Sequence, residues 1–325
     1  MMSLLARVPR FFLVMLILIP LVASGCGSDK KKTKQETITI SGAFALYPMT
    51  VQWADEYQKT HEGVQFDISA GGAGKGMSDV LNQAVDVAMV SREVRPEEAS
   101  QGATAFGVAE DAVVMTVSAD NPMLDQLLAT GITPPKGAAV WITGEIITWG
   151  QLLGTDDTRE INVYSRADAC GAAEVWALFL DGTSQEDFQR GVAVQGDPVL
   201  ADTVSKDALG IGYNNIGFAY DATTGQQVKG LRVVPIDLNG DGQISPDEDF
   251  YAERSSLTAA IADGRYPSPP ARPLYLVTNG QPTGVTADFI RWVLTDGQSL
   301  VETAGYVPLG SDELQAGLAA LGNPK

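Results

Sequence analysis

The chain has 325 residues, 45% of them apolar and 19% charged, with a formal net charge of −18 and a single histidine. That acidity excludes nucleic acid as a partner, and one histidine cannot support a Ser-His-Asp triad or a histidine-rich metal centre. The length allows two lobes, each with a core of its own.

Residues 1–26 read as an export signal, with Arg7 and Arg10 as the basic start and Phe11–Val22 as the apolar core. The apolar run is short for a membrane span. It ends in Ala23-Ser24-Gly25-Cys26, a lipobox-like sequence. A cleaved secretory peptide with a chance cysteine is the alternative. The position of Cys26 directly after Ala-Ser-Gly and before a polar tether favours lipidation. Residues 27–36 (GSDKKKTKQE) form that flexible tether. The expectation is a protein of the cell envelope, held extracytoplasmically at a membrane by its lipid. With Cys26 lipidated, Cys170 has no partner and no disulfide is possible.

Beyond the tether, short β-branched runs alternate with helical stretches, the pattern of α/β layers. Thr37–Ile40 predicts a strand, and Met49–Thr60 a helix with Val51, Ala54 and Tyr57 on one face. Val64–Ser69 predicts the next strand, Met77–Ala84 the next helix and Val85–Val90 another strand. His61, in a polar helix end, reads as a solvated surface residue.

Val163–Glu174 (VYSRADACGAAE) couples a strand-like lead-in to a helix-compatible run. The first turn of a helix has N–H groups without intrahelical partners, and its dipole favours negative charge there. Arg166 would add a planar fork of donors suited to oxyanions. Asp168 would orient that arginine or cap the helix. A strand-to-helix turn with an ordinary surface ion pair is the plainer alternative. The net negative charge does not forbid an anion ligand, because surface carboxylates are screened over about 10 Å while dipoles and arginines act at contact distance. Cys170 at a helix start beside Arg166 would have a lowered pKa, suited to a redox or nucleophilic role. Its alternative is a small residue tolerated in a tight turn.

Asp237–Glu248 (DLNGDGQISPDE) has the donor order of a twelve-residue calcium loop. Asp237, Asn239 and Asp241 would supply side-chain oxygens, Gln243 its carbonyl, and Glu248 a bidentate carboxylate; Ser245 would act through water. The strand-like Leu231–Ile236 upstream removes the paired-helix arrangement of a sensor, so the expected role of Ca2+ is structural. An Asp/Gly-rich turn that caps the next helix is the alternative.

Five segments in colinear order carry a family resemblance. They are Gly42-Ala43-Phe44-Ala45-Leu46-Tyr47-Pro48, Gly71-Gly72-Ala73-Gly74-Lys75-Gly76, Val85-Asp86 through Ser91-Arg92, Ile142-Thr143-Gly144 with Trp149, and Ile211–Phe218. Together they resemble the phosphate-binding lipoproteins of bacterial ABC importers, within the type 2 periplasmic-binding-protein superfamily. The resemblance implies an α/β fold of two lobes with a hinge and an interlobe cleft. Residues 111–118 and 272–278 would be the crossover strands, placing residues 37–114 plus 272–325 in lobe 1 and 115–271 in lobe 2. Pro267–Pro273 would be rigid, extended chain re-entering lobe 1. The implied activity is capture of inorganic phosphate by a monomer and its delivery to an ABC permease, without catalysis.

The resemblance also implies a ligand-contact set. Ala45, Leu46 and Tyr47 precede the first helix; Ala73, Gly74 and Lys75 lie in a glycine-rich loop; Ser91 and Arg92 end a strand; and Arg166, Asp168, Cys170, Gly171 and Ala172 complete the set. Related binders offer hydroxyls where Leu46, Ala73, Cys170 and Ala172 stand, and some place an acidic acceptor where Arg92 stands. With that acceptor replaced, Asp168 is the remaining candidate, unless Arg166 occupies it. Sulfate, molybdate or tungstate are the alternative ligands, and a thiol-dependent redox or signalling lipoprotein the distant alternative function.

Overall fold

The computed structural model describes residues 35–322. The export signal, Cys26 and nearly all of the tether lie outside the described residues. Among the described residues, no helix is long and apolar enough to cross a membrane.

Nine strands form one curled sheet. In chain order they are β1 (Glu36–Gly42), β2 (Val64–Ala70), β3 (Val87–Val90), β4 (Ala103–Ser118), β5 (Asn162–Arg166), β6 (Val192–Val194), β7 (Gly210–Asn215), β8 (Leu231–Val233) and β9 (Ala271–Asn279). Their spatial order is β2-β1-β3-β9-β4-β7-β5-β6, with β8 paired to β4. Parallel triplets at each end, joined through helices, flank the antiparallel pair β4 and β9. The long strand β4 runs beside β9 over its first part and between β7 and β8 over its last. From Val108 onward it is buried almost throughout, as a mostly apolar central strand should be, although Asp111 within it is buried too.

Two clusters of buried apolar side chains separate along these strands. One draws on residues between Ile38 and Ala109 and between Leu274 and Leu321. The other draws on residues between Ala112 and Ala271, joined by Val307. They are the cores of two lobes, and β4 and β9 pass from one to the other. In the first lobe, Met49, Trp53 and Tyr57 recur every four residues on the helix Tyr47–Thr60 and are fully buried. Tyr57 packs edge-on to Phe289. In the second, Trp141 and Trp176 meet edge-to-face at 5.7 Å, and both pack on Tyr213.

Two boundaries differ from expectation. The second helix runs Ala73–Leu81, so Ala73–Gly76 is its first turn and not a loop preceding it. The glycines allow this by close approach: a Cβ on Gly76 would lie 2.6 Å from the Gly42 Cα. The glycine-rich segment thereby seats a helix directly on the β1 backbone. Residues 267–270 form a turn with cis bonds at Ser268-Pro269 and Pro269-Pro270 where extended chain was expected, and β9 begins at Ala271. His61 closes the first helix, its ring stacked on Tyr57.

Candidate functional site

The turn after β1, the start of the helix Ala73–Leu81 and the loop after β5 touch across the lobe boundary. Gly74 N–H donates to Ala169 O at 3.0 Å, so a first-turn donor of one lobe is met by a carbonyl of the other. The Phe44 ring lies under the Arg166 guanidinium at 5.4 Å. Gly171 opens the helix Gly171–Phe179 directly against Ser91 at the end of β3. Gly171 and Ala172 hold the first two positions of that helix, where N–H groups have no intrahelical acceptor and the dipole favours an anion.

Arg166 ends β5, the strand that Val163 and Ser165 anchor, with the Ser165 hydroxyl 2.8 Å from Tyr213 OH. Its backbone N–H also donates to Tyr213 OH. The guanidinium is held between two carboxylates. Nε and Nη2 donate to Asp168 at 2.8 and 2.5 Å, and Nη1 is paired with Asp197. Burial opposes the Arg166 charge, but Asp197, Cys170 and Asp168 outweigh it and raise its pKa. Two carboxylates for one guanidinium leave this patch net negative. Asp168 Oδ1 accepts the Gly196 N–H at 3.0 Å in addition to the Arg166 Nε, while its Oδ2 accepts from Arg166 Nη2 alone. Asp168 and Asp197 thus take three of the five N–H donors of Arg166, and the Arg166 and Gly196 bonds take three of the four acceptor positions of Asp168.

The other two basic candidates also have protein partners. Arg92 is buried and grips Glu98 with two bonds, at 2.9 and 2.6 Å. Burial raises the Glu98 pKa, but the Arg92 bonds and the Arg95 N–H prevail and hold it below its ordinary value. Lys75 is half exposed and pairs with Asp79 one helical turn on, so its charge stays on the first lobe's surface and not in the cleft. Leu46 caps the first helix with its side chain in the core, and the N–H groups of Leu46 and Tyr47 both reach Ala43 O. The Ala45 carbonyl accepts from Tyr306 OH at 2.7 Å. Ala73, Gly74, Ser91, Gly171 and Ala172 therefore supply backbone at the boundary, whereas Lys75 and Arg92 supply no free charge.

Cys170 caps the helix Gly171–Phe179, its Sγ accepting the Ala173 N–H at 3.4 Å. A lowered pKa was expected there. Burial instead pushes the thiol up to about 12, with Asp168 and Asp197 adding to the rise and only Arg166 and the Ala173 amide opposing it. The thiolate required for nucleophilic chemistry is absent at neutral pH.

Sequence reasoning missed Asp197, Asn215, Asp111 and Arg272, and passed over Phe44 as a contact. Asp197 follows Gly196 at the start of the helix Gly196–Lys206, where an aspartate reads as an ordinary first-turn residue. Asp111 and Arg272 stand in register on β4 and β9. The one signal available was a charged residue in each of two otherwise apolar crossover segments.

The loop 237–248 folds tightly around its own carboxylates. Asp237 accepts from Gly240 and Gly242 N–H at 2.8 and 3.0 Å, and Glu248 reaches back to Leu238 and Ser245. Asn239 and Asp241 accept from the amides two residues on, and Asp237 and Glu248 are buried. Among the described residues, no three His, Cys, Asp or Glu side chains converge as a metal cage. The donor types suit a hard cation; in this arrangement they bond backbone amides.

Comparison with known proteins places this geometry. A family model described as a PBP superfamily domain matches residues 27–297. The chain belongs to the PBP superfamily. Among characterised PBP proteins, the phosphate-binding protein PstS of Bacillus subtilis strain 168 is 24% identical over 306 residues, covering 89% of this chain and 90% of that protein. Protein SphX of Synechococcus elongatus is 24% identical over 310 residues, covering 90% and 84%. An ABC-type phosphate transport receptor from Vibrio cholerae superposes with a TM-score of 0.61 at 20% identity, covering 84% of this chain and all of that one. A high-affinity periplasmic phosphate-binding protein, PfluDING, solved with phosphate bound, superposes at 0.64 with 16% identity, covering 87% and 93%. The two-lobed architecture is that of the superfamily.

Proposed function

We propose that this chain is an extracytoplasmic solute-binding protein that captures inorganic phosphate between its lobes and hands it to an ABC permease. The observation that carries this reading is the meeting of two helix starts, Ala73–Leu81 and Gly171–Phe179, at the boundary where Gly74 touches Ala169 and Gly171 touches Ser91. Backbone N–H groups at helix starts bind oxyanions whatever the side chains, so loss of hydroxyls at Leu46, Ala73, Cys170 and Ala172 leaves that capacity in place. The names of the PstS relatives point to the same ligand. Delivery to a permease without catalysis accords with a solute-binding superfamily.

One observation favours a second oxyanion as ligand. Three of the four acceptor positions of Asp168 are taken by Arg166 and Gly196, which weakens it as the group that takes the proton distinguishing hydrogen phosphate from sulfate, molybdate or tungstate. Calorimetric titration of the purified chain with phosphate and with sulfate separates the two. Phosphate binding with sulfate excluded supports the reading; no heat from phosphate removes it. The redox alternative finds no support in the buried, protonated Cys170.

We also propose lipid attachment at Cys26, a monomeric state and a structural calcium ion in the loop 237–248. The lipobox-like sequence and the order of oxygen donors support the first and third.

A further inference from the structure

The two crossover strands bring a second arginine and another carboxylate to the lobe boundary. Arg272 on β9 and Asp111 on β4 are paired in register, their charged atoms 3.6 Å apart, and both side chains are at least 97% buried. Nη2 of Arg272 is bonded to the Asn215 side-chain oxygen. Its Nε and Nη1 have no hydrogen-bond partner. Neither oxygen of Asp111 has a partner of ordinary geometry, although the Ala112 amide lies close enough to favour its charge. Of the nine buried side-chain polar atoms without a partner among the described residues, four belong to this one pair. Buried polar atoms are nearly always satisfied, so such a concentration needs a cause.

The pair is linked to the candidate site through Asp197 and Asn215. Asp197, which holds Arg166, acts electrostatically on both Arg272 and Asp111. Asn215 links the two arginines, because its side chain meets Arg272 and its N–H meets Asp197. On the first-lobe side, Tyr306 feels the charge of Asp111 and donates to the Ala45 carbonyl. A cavity of about 340 Å³ between Arg92, Val175, Leu178 and Ala271 borders Arg272. Arg166, Arg92 and Lys75 all have their charge met by carboxylates. Arg272 is a cationic side chain at this boundary whose Nε and Nη1 are buried without a partner.

We propose that Arg272 and Asp111 are the ligand-discriminating pair of this site, Arg272 donating Nε and Nη1 to anion oxygens and Asp111 accepting the anion's hydroxyl proton. The assignment rests on the phosphate reading above. It supplies a carboxylate with both oxygens open, where Asp168 has three of its four acceptor positions taken. Hydrogen phosphate carries one hydroxyl to donate. Sulfate at neutral pH carries none and would set its lone pairs against those of Asp111, leaving a buried acceptor unpaired.

The test titrates the full-length chain with inorganic phosphate and with sulfate at pH 7.5, as wild type, Asp111→Asn and Arg272→Gln, with thermal denaturation alongside. Asp111→Asn is expected to lower the phosphate-to-sulfate affinity ratio by at least about tenfold, since an amide donates to either anion. Arg272→Gln is expected to weaken both anions by about tenfold to a hundredfold. If Arg272→Gln does not fold, Arg272→Lys keeps the charge, removes the fork and is expected to weaken phosphate in the same direction. A folded Asp111→Asn with an unchanged ratio overturns the proposal, and so does a lowered melting temperature without a change in ratio, which would mark a structural ion pair. Wild type that binds no phosphate overturns the phosphate reading itself and the pair's role with it. Wild type that binds phosphate with a ratio insensitive to Asp111 overturns the pair's role alone.

Discussion

Gly171 in the second lobe lies so close to Ser91 in the first that a Cβ on Gly171 would overlap both the Ser91 carbonyl and its hydroxyl. The contact joins the helix start that offers free N–H groups to the end of β3, and it exists only while the lobes are together. A residue of normal backbone angles is glycine here because of its neighbour across the cleft.

Gly171→Ala therefore tests closure. Alanine suits a helix start at least as well as glycine, so the lobe itself should keep its stability. The methyl group cannot fit against Ser91, and ligand affinity should fall by about tenfold or more as the closed state is penalised by about 1–3 kcal/mol. Calorimetry reads the affinity, and small-angle scattering should show that the variant at saturating phosphate remains more extended than wild type.

Asp197→Asn should act in the opposite sense on binding. It removes one of the two carboxylates around Arg166 and loosens the hold on Nη1. The expected gain in oxyanion affinity is about tenfold, the size of one charge-assisted hydrogen bond. Stability should fall, by up to about 3 kcal/mol, because a buried charge loses its counter-charge. An unchanged affinity with reduced stability would show that Arg166 serves only to hold the loop.

The pH dependence of stability carries a signature of Asp111. Burial raises its carboxyl to about 6, against the pull of Arg272, from an ordinary value of 3.8. A raised carboxyl pKa favours the protonated folded form, so its contribution is present below pH 4 and is lost as pH rises through 6. The stability of wild type relative to Asp111→Asn should accordingly drop by about 2–3 kcal/mol between pH 4 and pH 7. Urea unfolding of both proteins at a series of pH values measures the difference directly, and a flat difference would show that Asp111 titrates normally.

Cys170 should be inert in the folded protein. With its thiol up at about 12 and its Sγ buried as a helix cap, labelling by a thiol reagent at pH 8 should proceed only as fast as the protein opens, and immediately in denaturant. Cys170→Ser should preserve the fold and preserve or improve anion binding, since a hydroxyl caps and donates better than a thiol.

Calcium should raise the melting temperature relative to the same protein in chelator, by RT ln(1 + [L]/Kd) expressed as several degrees at saturating metal. Glu248→Gln should remove that shift; because it keeps an acceptor oxygen for only one of the Leu238 and Ser245 amides, the calcium-free melting temperature of the variant is the baseline for the comparison. Equal melting temperatures with and without calcium would make the loop a plain turn.

Much of the architecture was readable from local pattern. The alternation of apolar runs, the first helix, the strand before Arg166 and the helix start after Cys170 depend on residues within a few positions of one another, and each appears within a few residues of its expected place, although the buried face of the first helix takes Met49 and Trp53 with Ala54 and Tyr57 and leaves Val51 half-buried. Colinear motifs also exposed the superfamily. The partners of the charged residues were not readable. Arg166 and Asp197 are 31 positions apart, and Asp111 and Arg272 meet only because β4 and β9 run antiparallel between the lobes. A guanidinium looks the same in sequence whether it is free or clasped, and a glycine looks the same whether it turns a chain or makes room for a facing lobe. Charge pairing and close approach are set by which strands become neighbours. In this protein that choice paired Arg166 with two carboxylates and left Nε and Nη1 of Arg272 unmet.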